Sequence, residues 1–370
     1  IGVSGFQTSA GSYALKDLEL PDAFCIQRLR RNPKIDIFGK THLTELAGFV
    51  TSNVLPYGYS ELGGFGQNPH GNFPCGGSSA GSAIAVAAGF CDAALGTETR
   101  GSLMIPGFRN GVYSFKPTRG FVSRNGIVPL SSSFDAPGVL ARNPALLKEV
   151  FLSMIGVDPA DDQSFELRSK ESKPSRKRII ICVSRSLGEM GLLQTKLRSF
   201  FTQLKLNGLE FFFIDLPEIT FDYKTISSTD IRSDMTKFLQ RYGYDKEPGS
   251  FEELVERYRE RPHAHFYGME RLEEALVMPQ ISKSVLKKLV NENVAKARDL
   301  INSILDCYDA DFVGFLNFVD WFSIGGGPSC TLPVSFETKP PISIMLGSRV
   351  GNDLALLDIV QEFSEIAKSV

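Results

Sequence analysis

Between residues 176 and 216 the chain runs through an apolar stretch, RKRIIICVS, a helical stretch closed by Gly208, LQTKLRSFFTQLKLNG, and a second apolar stretch, LEFFFIDL (209–216). Strand, helix and strand in that order form a β-α-β unit, whose two strands lie parallel in one sheet. Strands that are apolar along most of their length need cover on both sides. The pattern therefore predicts an α/β fold, a mixed or parallel β-sheet core covered by helices on both faces.

The other segments fit around that core. DAFCIQRLRR (22–31) has helical spacing, KIDIFGKT (34–41) predicts a short strand and turn, and SSAGSAIAVAAGF (78–90) predicts a small-residue helix packed closely on several sides. Residues 217–310 are predominantly helical and charged, and DFVGFLNF and PPISIMLGS supply late strands before a last helix, LALLDIVQEFSEIAKSV. No repeat of solenoid period occurs. A hydrophobic content of 42%, a charged content of 22% and a formal net charge of −2 give no global reason to expect a polyanionic partner. The basic run at 168–178 is broken by Glu171 and Pro174 and reads as a solvated linker. Six scattered cysteines form no C-x-x-C and no Cys/His cluster, so no metal is expected and the thiols should be reduced and mostly buried. There is no apolar run of membrane-spanning length and no signal-peptide pattern, which predicts a cytoplasmic protein without membrane or nucleic-acid contact.

The residues that carry chemistry lie in GNFPCGGSSAGSAIAVAAGF (71–90). Gly77 to Gly81 satisfy G-x-S-x-G, which suggests a nucleophile elbow with Ser79 attacking, as in α/β-hydrolases. That order of residues leaves only His263 and His265 as downstream bases, both in a charged helical region, while His42 and His70 precede the serines. The preceding QNPHGNFPC is also polar and proline-containing, so no strand runs into Ser79. The simpler alternative is that Ser78 or Ser79 caps a helix. Capping does not account for the glycines on both sides, nor for a second glycine-serine turn, Gly101-Ser102 in ALGTETRGSLMIPG (94–107). Such a turn can aim consecutive backbone N–H groups at one point, as an oxyanion site requires.

Taken together these stretches resemble the amidase signature hydrolases. GGSSAGSA is followed, 24 residues after its first serine, by the serine of GTETRGSLMIPG. TSAGS, GKTHLTELA, FGQNPHGN, SFKPTRGFVSRNGIVP, SFDAPGVLAR and GGGPSCTLPVSF with PPISIMLGS follow in the family's order. The resemblance implies one domain over 1–370, with 150–310 as its variable, mostly helical part. It also implies a Ser–Ser–Lys triad that hydrolyses an amide through an acyl-serine without a cofactor. Ser102 would be the nucleophile, and Ser78, after a cis peptide bond, would relay protons to a buried lysine. Thr99, Arg100 and Gly101 would form the oxyanion hole, with Ser79 as a supporting neighbour. The substrate would be a small-molecule or peptide amide. A glutaminase-type subunit of a tRNA amidotransferase and a pseudo-amidase acting as a binding or scaffold module are the alternatives.

Four departures from the family pattern stand out. The family lysine sits in a V/I-K-D block just ahead of the segment matched by GFQTSAGS, so the base is expected upstream of Ile1; Lys16 lies on the wrong side of that segment, and Lys40 belongs to another block. Arg100 replaces a glycine, which would strain the turn if that position required a positive φ. Glu98 and Met104 stand where aspartate and arginine are common.

Overall fold

The computed structural model describes residues 1–51, 55–167, 178–183, 191–243, 248–261, 266–335 and 338–367. A short antiparallel ribbon, β1 (Tyr59–Ser60) and β2 (Gly64–Phe65), stands apart from an eight-stranded sheet. The sheet comprises β3 (Ala93–Glu98), β4 (Tyr113–Lys116), β5 (Ala136–Ala141), β6 (Arg178–Val183), β7 (Glu210–Asp215), β8 (Phe312–Phe315), β9 (Ser329–Ser335) and β10 (Ile342–Ser348). Their spatial order is β3-β5-β4-β9-β10-β8-β6-β7. Pairing is antiparallel from β3 through β8, and parallel from β8 to β6 and from β6 to β7. The expected β-α-β unit is therefore present, and the sheet is mixed.

Helices cover both faces, as the apolar strands require. They are α1 (Phe24–Leu29), α2 (Ala80–Ala87), α3 (Met104–Asn110), α4 (Pro144–Met154), α5 (Gly191–Leu206), α6 (Tyr223–Tyr242), α7 (Phe251–Arg259), α8 (Glu270–Val277), α9 (Lys283–Cys307), α10 (Trp321–Gly325) and α11 (Asp353–Ala367). β6 shows how alternate residues divide between two cores. Ile179 and Ile181 join the cluster formed with α1, α4, α5 and α11, whereas Ile180 and Cys182 join the one formed with α2, α3, α9 and α10. A third cluster packs α6, α7 and α8 on Leu15, Leu18, Leu46 and Phe49, so the mid-chain helices lie over the N-terminal segment. Helix starts follow side-chain chemistry: Asn143 accepts from Leu146 N at 2.9 Å with Pro144 at the first turn, and Ser250 accepts from Glu253 N at 3.1 Å.

Two local expectations change. KIDIFGKT forms no strand: Ile35 and Ile37 pack on the first core cluster, but Phe38 is exposed and no neighbouring strand takes up the segment's backbone groups. Strands β5 and β9 lie in segments whose proline content hid them. Pro137 sits at the start of β5, and Pro333 in β9 lies opposite the register shift at Ile342 and Ser343, where the lost ladder donor is tolerated. Cys25, Cys75, Cys182 and Cys330 are buried free thiols, Cys91 is half-buried and Cys307 exposed. Among the described residues no helix is long and apolar enough to cross a membrane.

Candidate active site

The two serine-bearing loops meet at the antiparallel end of the sheet. The first precedes α2; the second joins β3 to α3. They are tied by the Ser79 N–H, which donates to the Ser102 carbonyl at 3.1 Å. The Ser79 hydroxyl donates to Thr97 O at 3.1 Å and accepts from Thr97 N at 3.2 Å. Although Ser79 is the N-cap residue of α2, neither it nor Ser78 caps the helix through its side chain. Its hydroxyl is committed to β3.

Ser78 follows a cis peptide bond from Gly77, as the resemblance implies. Its carbonyl accepts from Thr44 N at 2.9 Å. Its hydroxyl is buried and has no hydrogen-bond partner among the described residues. It is not bonded to Ser102, whose residue is half-buried.

Residues 98–102 are fixed from several directions. The Thr99 hydroxyl donates to Asp135 Oδ1 at 2.5 Å, and Asp135 Oδ2 accepts from Leu130 N at 2.8 Å and Ser131 N at 2.9 Å. Burial pushes the Asp135 carboxyl up to about 6, against the opposing effect of these donors. Arg100 turns outward, with Nε 3.1 Å from Asp320 Oδ2 and its guanidinium 4.8 Å from the centre of the Tyr223 ring. The left-handed residue of the turn is Gly101, with φ of 91°, and not Arg100, so arginine is accommodated without the strain foreseen for it. A Cβ on Gly101 would also lie 2.7 Å from the Phe318 ring. Met104 is buried in the second core cluster and begins α3.

No described lysine bonds to Ser78. Lys40 Nζ donates to Gln7 O at 2.7 Å and Thr8 Oγ1 at 2.6 Å, holding two N-terminal segments together. Lys16 pairs with Asp17 at the surface. Lys116 is buried, and desolvation lowers its amine to about 8, but Nζ donates to Gly327 O at 2.5 Å and Pro117 O at 3.1 Å. The His70 ring contacts Asn110 O at 3.0 Å, and His42 meets α2 through its backbone carbonyl, which accepts from Gly81 N at 3.1 Å. His263, His265 and the basic run up to residue 177 lie outside the described residues. Thr44 and Asp135 were not singled out from the sequence; their signal was their place inside the family-like blocks GKTHLTELA and SFDAPGVLAR.

A family model described as Amidase matches residues 1–313. Over 249 residues the chain is 33% identical to a glutamyl-tRNA(Gln) amidotransferase subunit of Campylobacter lari, covering 64% of this chain and 53% of that protein. A solved amidase family protein from Bacillus anthracis covers 100% of this chain and 76% of its own, with a TM-score of 0.91 at 24% identity. Native peptide amidase from Stenotrophomonas maltophilia covers 100% of this chain and 81% of its own, with a TM-score of 0.89 at 24% identity. At this identity the two structural likenesses establish the fold. The chain spans between 26% and 58% of the length of the curated relatives it matches.

Proposed function

Because the chain belongs to the amidase family, we propose that it hydrolyses a carboxamide C–N bond through an acyl-enzyme formed on Ser102. The observation that supports this reading most directly is the Ser78 hydroxyl, buried and without a hydrogen-bond partner among the described residues, in a loop bonded to the Ser102 carbonyl. In the proposed reaction Ser102 Oγ attacks the amide carbon while its proton passes to Ser78, whose own proton passes to a base. The carbonyl oxygen becomes an oxyanion held by backbone N–H groups of Thr99, Arg100 and Gly101. Collapse of the intermediate breaks the C–N bond, returns a proton to the leaving amine, and leaves an ester on Ser102 that water hydrolyses. The base must be neutral near pH 7, which a lysine achieves only when desolvated. The scheme calls on no metal or organic cofactor.

In the natural protein Ser102→Ala should abolish amide hydrolysis, and Ser78→Ala should lower kcat by about 10²–10⁴, the usual contribution of a proton-transfer group. Wild-type turnover in either variant would remove the triad. A second reading, membership of a tRNA amidotransferase assembly, is favoured by the sequence identity to the Campylobacter lari protein. Co-purification with partner chains, together with transfer of ammonia from a donor amide, would select it over a free-standing amidase.

A further inference from the structure

The loop that carries Ser102 is closed on itself by the side chain at its own beginning. Glu98, the last residue of β3, is fully buried, and its Oε2 accepts from Leu103 N at 2.9 Å and Met104 N at 3.0 Å. Its Oε1 accepts from the Ser323 hydroxyl at 2.6 Å. A buried carboxylate is tolerable when it is met by donors, and here there are three. Two belong to the residues that immediately follow Ser102, and the third belongs to α10.

The residues just before this short helix meet the loop twice more. Asp320, which precedes α10, pairs with Arg100, and Phe318 fills the space where Gly101 has no side chain. The helix is itself anchored: Arg298 Nε on α9 donates to Gly325 O at 2.7 Å, Arg119 N donates to Gly326 O at 3.0 Å, and Lys116 Nζ to Gly327 O. From Glu98 to Met104 the loop is thus held on one side by its own carboxylate and on the other by an element more than two hundred residues away in sequence.

We propose that Glu98 and Ser323 are positioning residues for the nucleophile: through the loop closure at Leu103 and Met104 and the bond to α10, they set the direction of Ser102 Oγ. The proposal rests on the assignment of Ser102 as the attacking residue. Glu98 and Ser323 act through backbone and do not touch the substrate. Their loss should therefore slow the covalent step and leave ground-state binding intact, lowering kcat with KM unchanged. Misplacement of a reacting atom by about 1 Å can cost about 10²-fold.

The test is the rate constant for covalent labelling of Ser102 in the natural protein by a fluorophosphonate, read by mass spectrometry of the labelled peptide. Melting temperature and, on a hydrolysed amide, kcat and KM are measured alongside. Glu98→Ala should label about ten- to a hundredfold more slowly. Glu98→Gln, whose amide oxygen still accepts from Leu103 and Met104, should recover most of the rate. Ser323→Ala, which removes only a hydroxyl, should slow labelling while the melting temperature stays near wild type, and it decides the matter if Glu98→Ala does not fold. Wild-type labelling rates in folded Glu98→Ala or in Ser323→Ala overturn the positioning role alone. A wild-type protein that is not labelled at Ser102 overturns the nucleophile assignment, and the positioning role with it.

Discussion

Glu45 shows how much a single side chain near the serine loops can hold. It follows Thr44, whose N–H fixes the Ser78 carbonyl, and it is 1% exposed. It accepts from the Tyr258 hydroxyl on α7 and, at 2.8 Å, from Glu61 N. Burial raises its carboxyl to about 7 from an ordinary 4.5. The folded state therefore binds this proton more tightly than the unfolded state does. The stability that Glu45 contributes is complete below about pH 4.5 and is lost as pH rises through about 7. Relative to Glu45→Gln, which cannot ionise, the wild-type protein should lose up to about 3 kcal/mol of unfolding free energy between pH 4.5 and 8. Urea melts of both proteins across that range measure the difference, and a difference independent of pH would contradict the assignment. Leu46 and Ala47, the next two residues, have φ of 43° and 56°, a conformation that non-glycine residues seldom adopt.

At the scale of the element, α2 explains the glycines of the serine-rich stretch better than flexibility does. A Cβ on Gly81 would lie 2.2 Å from the His42 carbonyl oxygen, so the first turn of α2 rests directly on the backbone of His42. Gly81→Ala must push α2 or that segment away, and should destabilise the protein by about 1–3 kcal/mol. Because α2 follows the Ser78 loop, labelling of Ser102 should slow in the same variant; unaltered melting and labelling would show that the contact yields at no cost. The helix itself was legible from its alanines and its apolar run, and so were β6, α5 and β7, where periodicity and a closing glycine agree. β5 and β9 were not, because Pro137 and Pro333 mask strands whose neighbours supply the missing order. KIDIFGKT misled in the opposite sense, since local alternation predicts a strand only where a partner edge exists. For the site, the glycine-serine blocks singled out Ser78, Ser79 and residues 99–102, and the fold ties their two loops through the Ser79–Ser102 backbone bond. Ser323 was invisible, because a lone serine in WFSIGGG carries no pattern, and only the tertiary fold brings it to Glu98.

Across the whole molecule, the sheet divides into an antiparallel part that carries the site and a parallel part that ends in β7. β4 and β10 are buried along their whole length, whereas Glu210, Phe213 and Asp215 of the edge strand β7 are exposed. Amide hydrogen exchange should accordingly be slowest in β4, β9 and β10 and, among the strands of the large sheet, fastest in β7; comparable protection in β7 would point to cover that the described residues do not supply. The pairing of β4 with β9, Ser114 opposite Thr331, joins residues separated by most of the chain. During synthesis both serine loops and β3, β4 and β5 therefore leave the ribosome long before β9 exists, and β4 waits with the backbone groups of one side unpaired. Open edges of this kind are where chains associate wrongly. The open side of β4 is thus exposed to mispairing in the interval between synthesis of the serine loops and synthesis of β9.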